Sequence, residues 1–128
     1  MKSKILLVED DEKIVKALTI RLKSQGYDVV AAYDAVMAMS KAMEYHPDVI
    51  LLDISMPGGN GFTVAERLHD SSQTADVPVI FLTASKEPGL RERAKELGAV
   101  GYLEKPFEAQ ELLSVIQHAL AGDTAPAF

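Results

Sequence analysis

Short apolar runs alternate along the chain with segments in which apolar residues recur every three or four positions. A short apolar run bounded by turn residues is typical of a strand that is buried on both faces. Such runs predict five strands, at residues 4–8, 28–32, 48–53, 77–83 and 99–103. The longer periodic segments predict five helices, at 12–25, 34–45, 61–69, from a cap at Ser85 to Gly98, and at 108–121.

The alternation of strand and helix predicts a doubly wound α/β fold. Five strand–helix pairs fit one parallel sheet with helices on both faces, because right-handed crossovers change sides only where the strand order reverses. A chain of 128 residues has the length of one domain. It contains no internal repeat or low-complexity stretch, and residues 122–128 are expected to form a frayed tail or the start of a linker.

Helical spacing predicts one apolar face for each helix. On the second helix this face carries Val36, Met39 and Met43, and we expect the methionines of this helix to fill the core. The fourth helix is the weakest, because Pro88 fits only its first turn and Gly89 lowers its stability. The apolar faces of the other helices consist, in chain order, of Ile14, Ala17, Leu18 and Leu22; Leu90, Ala94 and Leu97; and Leu112, Leu113, Ile116 and Leu120.

The composition is that of an ordinary globular protein, with 48% hydrophobic and 25% charged residues. The absence of cysteine excludes disulfides, thiolate metal sites and cysteine nucleophiles. No apolar run approaches the roughly 18 residues of a membrane span, and the first strand begins too early for a signal peptide. We therefore expect a cytoplasmic protein without membrane contact. Its net charge of −6 argues against a nucleic-acid surface and favours cations or proteins as partners.

Polar side chains stand at or just after the ends of four predicted strands: Glu9, Asp10, Asp53, Thr83 and Lys105. The carboxyl ends of parallel strands lie at one edge of a sheet, where open α/β sheets place their ligands. Two carboxylates about 4 Å apart repel each other by roughly 4 kcal/mol at an effective dielectric constant near 20. The cluster therefore predicts a shared proton or a divalent cation, and oxygen ligands favour Mg²⁺, or Mn²⁺, over zinc. The three histidines share no metal-ligand spacing and are expected at the surface.

Four segments resemble the signature blocks of response-regulator receiver domains. They are 5–11 (ILLVEDD), 51–57 (LLDISMP) with Gly61 four residues on, 81–84 (FLTA) and 102–107 (YLEKPF). The resemblance covers about residues 3–121, and the order and spacing of the four blocks make it specific. It implies a flavodoxin-like doubly wound (βα)5 fold with a five-stranded parallel sheet of order 2-1-3-4-5. It also implies one receiver domain over residues 1–121, followed by the tail.

The resemblance implies that Asp53 accepts a phosphoryl group from the phosphohistidine of a histidine kinase or a histidine phosphotransfer protein. A carboxylate nucleophile then attacks phosphorus in line, a reaction that depends on positioning and on charge stabilisation. Mg²⁺ would be bound by Asp10, Asp53 and the backbone carbonyl of Ser55, with Glu9 acting through a water molecule. Many relatives have aspartate in place of Glu9, and glutamate is a familiar variant.

The remaining blocks carry implied roles in binding the phosphoryl group and in switching. Lys105 would pair with Asp53 and then with a phosphoryl oxygen, while the Thr83 hydroxyl would donate to another phosphoryl oxygen. Ala84 is small and leaves room for the group, and Pro106 is expected to follow a cis peptide bond. Tyr102 would move inward on phosphorylation and change the surface of helix four, strand five and helix five. Two departures from the family pattern fall in this region: the awkward start of helix four predicts a longer or more mobile preceding loop, and a glycine at 101 could loosen strand five.

Two other functions compete with a phosphorylation-controlled binding module. A Mg²⁺-dependent phosphohydrolase also forms an aspartyl phosphate, but it generally needs an acid two residues after the nucleophile, where this chain has Ser55. A flavodoxin-like cofactor binder would need a glycine-rich loop after strand one, where this chain has acids. We therefore expect a non-enzyme that only phosphorylates and dephosphorylates itself. Its partner would be a downstream protein or an effector domain outside this chain, and it would be a monomer or a phosphorylation-dependent dimer.

Overall fold

A computed structural model describes residues 2–55, 60–124 and 128. Met56 and Pro57 of the second signature block, residues 58–59 that follow them, and 125–127 of the tail lie outside the described residues. Five strands and five helices alternate: β1 (Lys4–Val8), α1 (Glu12–Ser24), β2 (Asp28–Ala32), α2 (Ala35–Tyr45), β3 (Val49–Asp53), α3 (Gly61–Asp70), β4 (Val79–Thr83), α4 (Leu90–Glu96), β5 (Gly101–Glu104) and α5 (Ala109–Leu120). Across the ranges described, no helix is both long and apolar enough to cross a membrane.

The five strands form one parallel sheet in the order β2-β1-β3-β4-β5. The predicted fold class and strand order are therefore confirmed. Every residue of the central strand β3 is buried, because helices cover both faces of the sheet. One core cluster lies between the sheet and helices α2, α3 and α4, and the other lies between the sheet and helices α1 and α5. The carboxyl ends of all five strands consequently share one edge.

Polar side chains at the helix N-termini fix where the helices leave that edge. Asp11 caps α1 by accepting hydrogen bonds from the backbone N–H groups of Lys13 at 2.9 Å and Ile14 at 3.3 Å. Asn60 caps α3 by accepting from the N–H of Thr63 at 3.0 Å. Such a cap satisfies a backbone donor that the helix itself leaves unpaired, and is worth roughly 1 kcal/mol. Asp11 thus has a structural role beside the predicted acid cluster.

The inward faces of α1 and α2 differ from those predicted. On α2 the buried residues are Ala35, Ala38 and Ala42, whereas Val36 is 73% exposed and Met43 is 38% exposed. The two other methionines of α2 pack partly buried against the core, as expected. The small alanine side chains allow α2 to lie close to the sheet, so the stripe of larger residues is turned outward. On α1 the buried residues are Val15 and Leu22, while the predicted Ala17 is exposed.

The predicted cap of helix four at Ser85 is wrong. Helix α4 begins at Leu90, after Gly89, whose φ is +88°. Proline disfavours helical geometry in the residue before it, and the left-handed conformation of Gly89 does not fit within a right-handed helix, so α4 begins only after Gly89. The Ser85 hydroxyl instead accepts a hydrogen bond from the N–H of Glu87 at 3.2 Å. The loop between β4 and α4 therefore extends from Ala84 to Gly89.

Gly101 lies where α5 packs against β5. A Cβ added at this glycine would overlap Cγ1 of Val115 and would lie 3.4 Å from the side chain of Ile80. Gly101 is buried, and the absence of a side chain lets helix α5 approach the strand closely. In this structure the glycine is a packing feature of strand five, where the sequence suggested a loosened strand.

We expect Gly101→Ala to lower the free energy of unfolding by about 2 kcal/mol, because an extra methyl group in a filled core forces its neighbours to move. Urea denaturation of the variant measures this loss. The matched variant is Gly101→Ala combined with Val115→Ala, which removes the overlapping methyl group, and Val115→Ala alone completes the cycle. If the double variant loses as much stability as the two single variants together, the overlap does not explain the effect of Gly101→Ala.

Candidate functional site

The predicted acids meet at the carboxyl edge of the sheet. Glu9 and Asp10 follow β1, and Asp53 is the last residue of β3, the strand next to it. Each of these side chains offers a carboxylate oxygen, and the three oxygens lie within 4.8 Å of one another. Glu9 and Asp53 are 1% and 5% exposed, whereas Asp10 is exposed. The cluster is therefore a buried pair of acids with a third acid at its solvent side.

Lys105 brings a positive charge to this cluster from the end of β5. Its ammonium nitrogen lies 3.2 Å from Oδ2 of Asp53 and also contacts Oε1 of Glu9. Burial by itself lowers the pKa of Lys105, but the hydrogen bond to Glu9 and the charges of Asp53 and Glu9 outweigh it and raise the pKa above its usual value. The backbone N–H of Lys105 donates to the carbonyl of Thr83 at 2.7 Å. The lysine is thus fixed at both its backbone and its side chain.

The charges and donor atoms of the cluster fit a divalent cation. Three carboxylates face one ammonium group, which leaves the cluster with excess negative charge. Carboxylate oxygens are the ligands that Mg²⁺ prefers, and the exposed Asp10 leaves one side open to water, several molecules of which Mg²⁺ usually retains. The donor set therefore suits Mg²⁺ better than a metal that prefers sulfur or imidazole ligands.

The backbone after Asp53 is held by short hydrogen bonds. Oδ1 of Asp53 accepts from the N–H of Ser55 at 3.0 Å, which places Ser55 beside the acids. The N–H of Gly61 donates to the carbonyl of Ile54 at 2.7 Å. A Cβ on Gly61 would lie 2.5 Å from the carbonyl oxygen of Asp53, so only glycine allows α3 to begin directly against this turn. The sequence marked Gly61 as a motif residue but could not show this close approach.

Thr83 and Ala84 lie beside the acids, at the end of β4. Thr83 is fully buried, and its hydroxyl oxygen accepts a hydrogen bond from the N–H of Ser85 at 3.0 Å. The peptide bond between Lys105 and Pro106 is cis, as predicted. Next to the acids is a largely apolar depression of about 450 Å³. It is lined by Ile14, Leu18, Ala84, Lys105, Pro106 and Phe107.

Tyr102 lies on the α4 side of β5 and is only 8% exposed. The guanidinium carbon of Arg91 is 4.7 Å from the centre of its ring, and Phe128 is stacked on it with ring centres 6.4 Å apart. Burial raises the pKa of the Tyr102 phenol, and the nearby charge of Glu104 adds to the effect. Neither Arg91 nor Phe128 was predicted as a neighbour of Tyr102, because no local sequence pattern signals a contact across the fold.

Glu104 connects β5 to the loop before α4. Its carboxylate lies 2.7 Å from the ammonium group of Lys86 and 4.0 Å from the guanidinium group of Arg91. The hydrogen bond from Lys86 and its charge lower the pKa of Glu104. These pairs are exposed, so each contributes little to stability. They nevertheless join the loop that follows Thr83 to the strand that carries Tyr102.

Comparisons with known proteins agree on one family. The family model described as the response regulator receiver domain matches residues 5–117. The DNA-binding dual master transcriptional regulator RpaA of Synechocystis sp. is 38% identical to the chain over 117 residues, which are 91% of this chain and 48% of that protein. The chain spans about half the length of this and other curated relatives.

Solved structures of receiver domains have the same fold. A putative response regulator from Chloroflexus aurantiacus superposes with a TM-score of 0.89 at 31% identity, covering 94% of this chain and 99% of the other. The receiver domain of a sensor histidine kinase from Pseudomonas aeruginosa gives a TM-score of 0.86 at 31% identity, with the same coverage. That structure has a magnesium ion coordinated in its active site cleft.

Proposed function

The chain belongs to the response regulator receiver family of two-component signal transduction, and from that membership we propose that Asp53 is its phosphoacceptor. The observation that carries the proposal is the position of the Asp53 carboxylate. It lies at the carboxyl end of the central strand, with Lys105 on one oxygen and the N–H of Ser55 on the other. Two further acids stand beside it.

The proposed donor is the phosphohistidine of a histidine kinase or of a histidine phosphotransfer protein. An O–P bond forms between the Asp53 carboxylate and phosphorus, while the N–P bond of the donor breaks and its imidazole nitrogen keeps the electron pair. The apolar depression beside Lys105 is a suitable place for the donor to dock, because it is lined by Ile14, Leu18 and Phe107 and by Lys105, which contacts Asp53. Receiver domains pair with histidine kinases and with effector domains.

The residues around Asp53 are suited to bind the transferred group. The Lys105 ammonium, 3.2 Å from Asp53, is within reach of a phosphoryl oxygen on that carboxylate. The Thr83 hydroxyl oxygen accepts from Ser85, so its own hydrogen remains available to donate to a second phosphoryl oxygen. Ala84, next to Thr83, adds no bulk on this side. Charge stabilisation and positioning by these groups would supply most of the rate.

Mg²⁺ is the proposed cofactor, bound by Asp10, Asp53 and the backbone carbonyl of Ser55, with Glu9 acting through water. When bound, the cation would neutralise negative charge on the carboxylates and on the phosphoryl oxygens. Glu9 also supports the site in a second way, since one of its oxygens contacts Lys105 and the other accepts from the N–H of Asp11 at 3.3 Å. Glutamate at this position thus orients the lysine that faces Asp53.

The proposed output is a change in the surface formed by α4, β5 and α5, reported by Tyr102. A Thr83 hydroxyl drawn toward a phosphoryl group would change its contact with Ser85, and the same loop carries Lys86, which is paired with Glu104 of β5. A tenfold shift of such an equilibrium needs about 1.4 kcal/mol, which charge-assisted hydrogen bonds to a phosphoryl group can supply.

We propose a signalling module that turns over only its own phosphoryl group, because Ser55 occupies the place where a phosphohydrolase needs an acid. The receiver domain would comprise residues 1–121 in the cytoplasm, with 122–128 as a tail. Its target would be a separate protein or an effector domain outside this chain. The receiver domain would act as a monomer or as a phosphorylation-dependent dimer.

Incubation with acetyl phosphate and Mg²⁺, followed by intact-mass measurement, tests the proposed function. The protein should gain the mass of one phosphoryl group, and borohydride reduction should place it on the peptide that contains Asp53. An excess of EDTA should abolish the gain in mass. Replacing Mg²⁺ with Mn²⁺ shows whether the site also functions with that cation. A mass gain that is unchanged by EDTA, or that maps to another residue, would contradict the proposal.

A further inference from the structure

Phe128 covers the ring of Tyr102. The two rings are nearly parallel, with an interplanar angle of 6° and centres 6.4 Å apart. The ammonium group of Lys95, on α4, lies 5.5 Å from the centre of the Phe128 ring. Phe128 is half-buried and packs against the core cluster on the α4 side of the sheet. The last residue of the sequence is therefore joined to α4 and β5 by two contacts of different kinds.

The position of Tyr102 in the sheet explains why such a cover matters. β5 is an edge strand: β4 pairs with one side of it, and no strand among the described residues pairs with the other. The ring of Tyr102 is nevertheless 8% exposed, because Arg91 and Phe128 lie against it. In residues 122–128, Phe128 is the only large apolar residue.

Phe128 also lines a groove of about 550 Å³ that runs along β5 between α4 and α5. The groove contains basic groups from Lys86 and Arg91 and acidic groups from Glu104 and Glu111. A partner that reaches Tyr102 through this groove meets the ring of Phe128 there. Phe128 is thus part of the wall of this groove, where its ring covers one face of the Tyr102 ring.

We propose that Phe128 is an intramolecular plug over the Tyr102 ring, in the wall of the groove between α4, β5 and α5, and that it must leave before a partner can contact the ring face that it covers. A single aromatic pair favours the closed arrangement by only roughly two- to tenfold. A plug of this strength shields Tyr102 from a weakly binding partner, but a partner that buries a full interface can displace it. The covering of Tyr102 by Phe128 does not depend on the proposed function, whereas its consequence for signalling rests on that function.

Access of solvent to Tyr102 tests the plug directly. The full chain is labelled with 3-fluorotyrosine, and the ¹⁹F resonance of Tyr102 is assigned by its loss in Tyr102→Phe. We expect a soluble gadolinium chelate to broaden this resonance severalfold more strongly in Phe128→Ala than in the wild type. The resonances of Tyr27, Tyr33 and Tyr45 should not change. Thr124→Ala, an exposed substitution in the same tail, is the matched control and should behave as the wild type.

Equal broadening in Phe128→Ala and in the wild type would overturn the proposal. Protection of Tyr102 that disappears on dilution of the wild type would also overturn it, because the covering ring would then belong to a second copy of the chain. The measurement uses EDTA and no phosphoryl donor. Asp53→Asn should therefore protect Tyr102 as the wild type does, so failure of the plug and failure of the proposed phosphoacceptor give different results.

Discussion

Replacement of Asp53 with asparagine should abolish phosphoryl incorporation from acetyl phosphate. An amide oxygen is a far weaker nucleophile than a carboxylate, and loss of a nucleophile typically costs on the order of 10³-fold or more in rate. Asparagine has the shape of aspartate and can still accept the hydrogen bond from Ser55. The experiment compares phosphoryl incorporation by intact mass in the wild type and in the variant, over the same time course with Mg²⁺.

Two measurements show whether a loss in Asp53→Asn is specific. Asp70→Asn changes an exposed carboxylate at the end of α3 and should leave incorporation unchanged. Urea denaturation should show that Asp53→Asn remains folded, because the change removes one of the clustered negative charges and Lys105 keeps its contact with Glu9. An Asp53→Asn variant that still gains one phosphoryl group would exclude Asp53 as the acceptor.

The sequence was sufficient to predict the sheet and the meeting of the polar residues at its edge. Apolar runs locate the strands, and a parallel sheet necessarily brings the carboxyl ends of its strands together. The sequence alone therefore places Asp53, Thr83 and Lys105 at one edge of the sheet. The helix boundaries were predicted less well, because Ser85 has the chemistry of a cap but Pro88 and Gly89 delay the helix that follows.

The features that the sequence did not reveal are contacts between distant parts of the chain. The exposure of Val36 follows from how closely the alanine face of α2 approaches the sheet, which helical periodicity alone does not define. The packing role of Gly101 depends on Val115, which lies on another element. Likewise, the stacking of Phe128 on Tyr102 joins residues that are far apart in the sequence. Local sequence patterns predict the helices and strands, whereas the close packing between them is visible only in the three-dimensional structure.

Replacement of Lys105 with methionine should lower the free energy of unfolding by about 3 kcal/mol in EDTA, because removal of one partner leaves buried charges without compensation. The raised pKa of Lys105 keeps its ammonium group charged at neutral pH, and methionine retains most of the side-chain volume. Glu9 and Asp53, which are 1% and 5% exposed, would then face each other without this ammonium group. Urea denaturation measures the loss.

Mg²⁺ should stabilise Lys105→Met more than it stabilises the wild type, since a bound cation compensates charge that the lysine no longer balances. Lys86→Met is the matched control, because Lys86 forms an ion pair of 2.7 Å with Glu104 but its side chain is 67% exposed. A surface pair of this kind contributes little to stability, so burial of the acids accounts for the larger loss at Lys105. Equal losses in the two variants, or an equal response to Mg²⁺ in Lys105→Met and the wild type, would show that Lys105 does not balance the acid cluster.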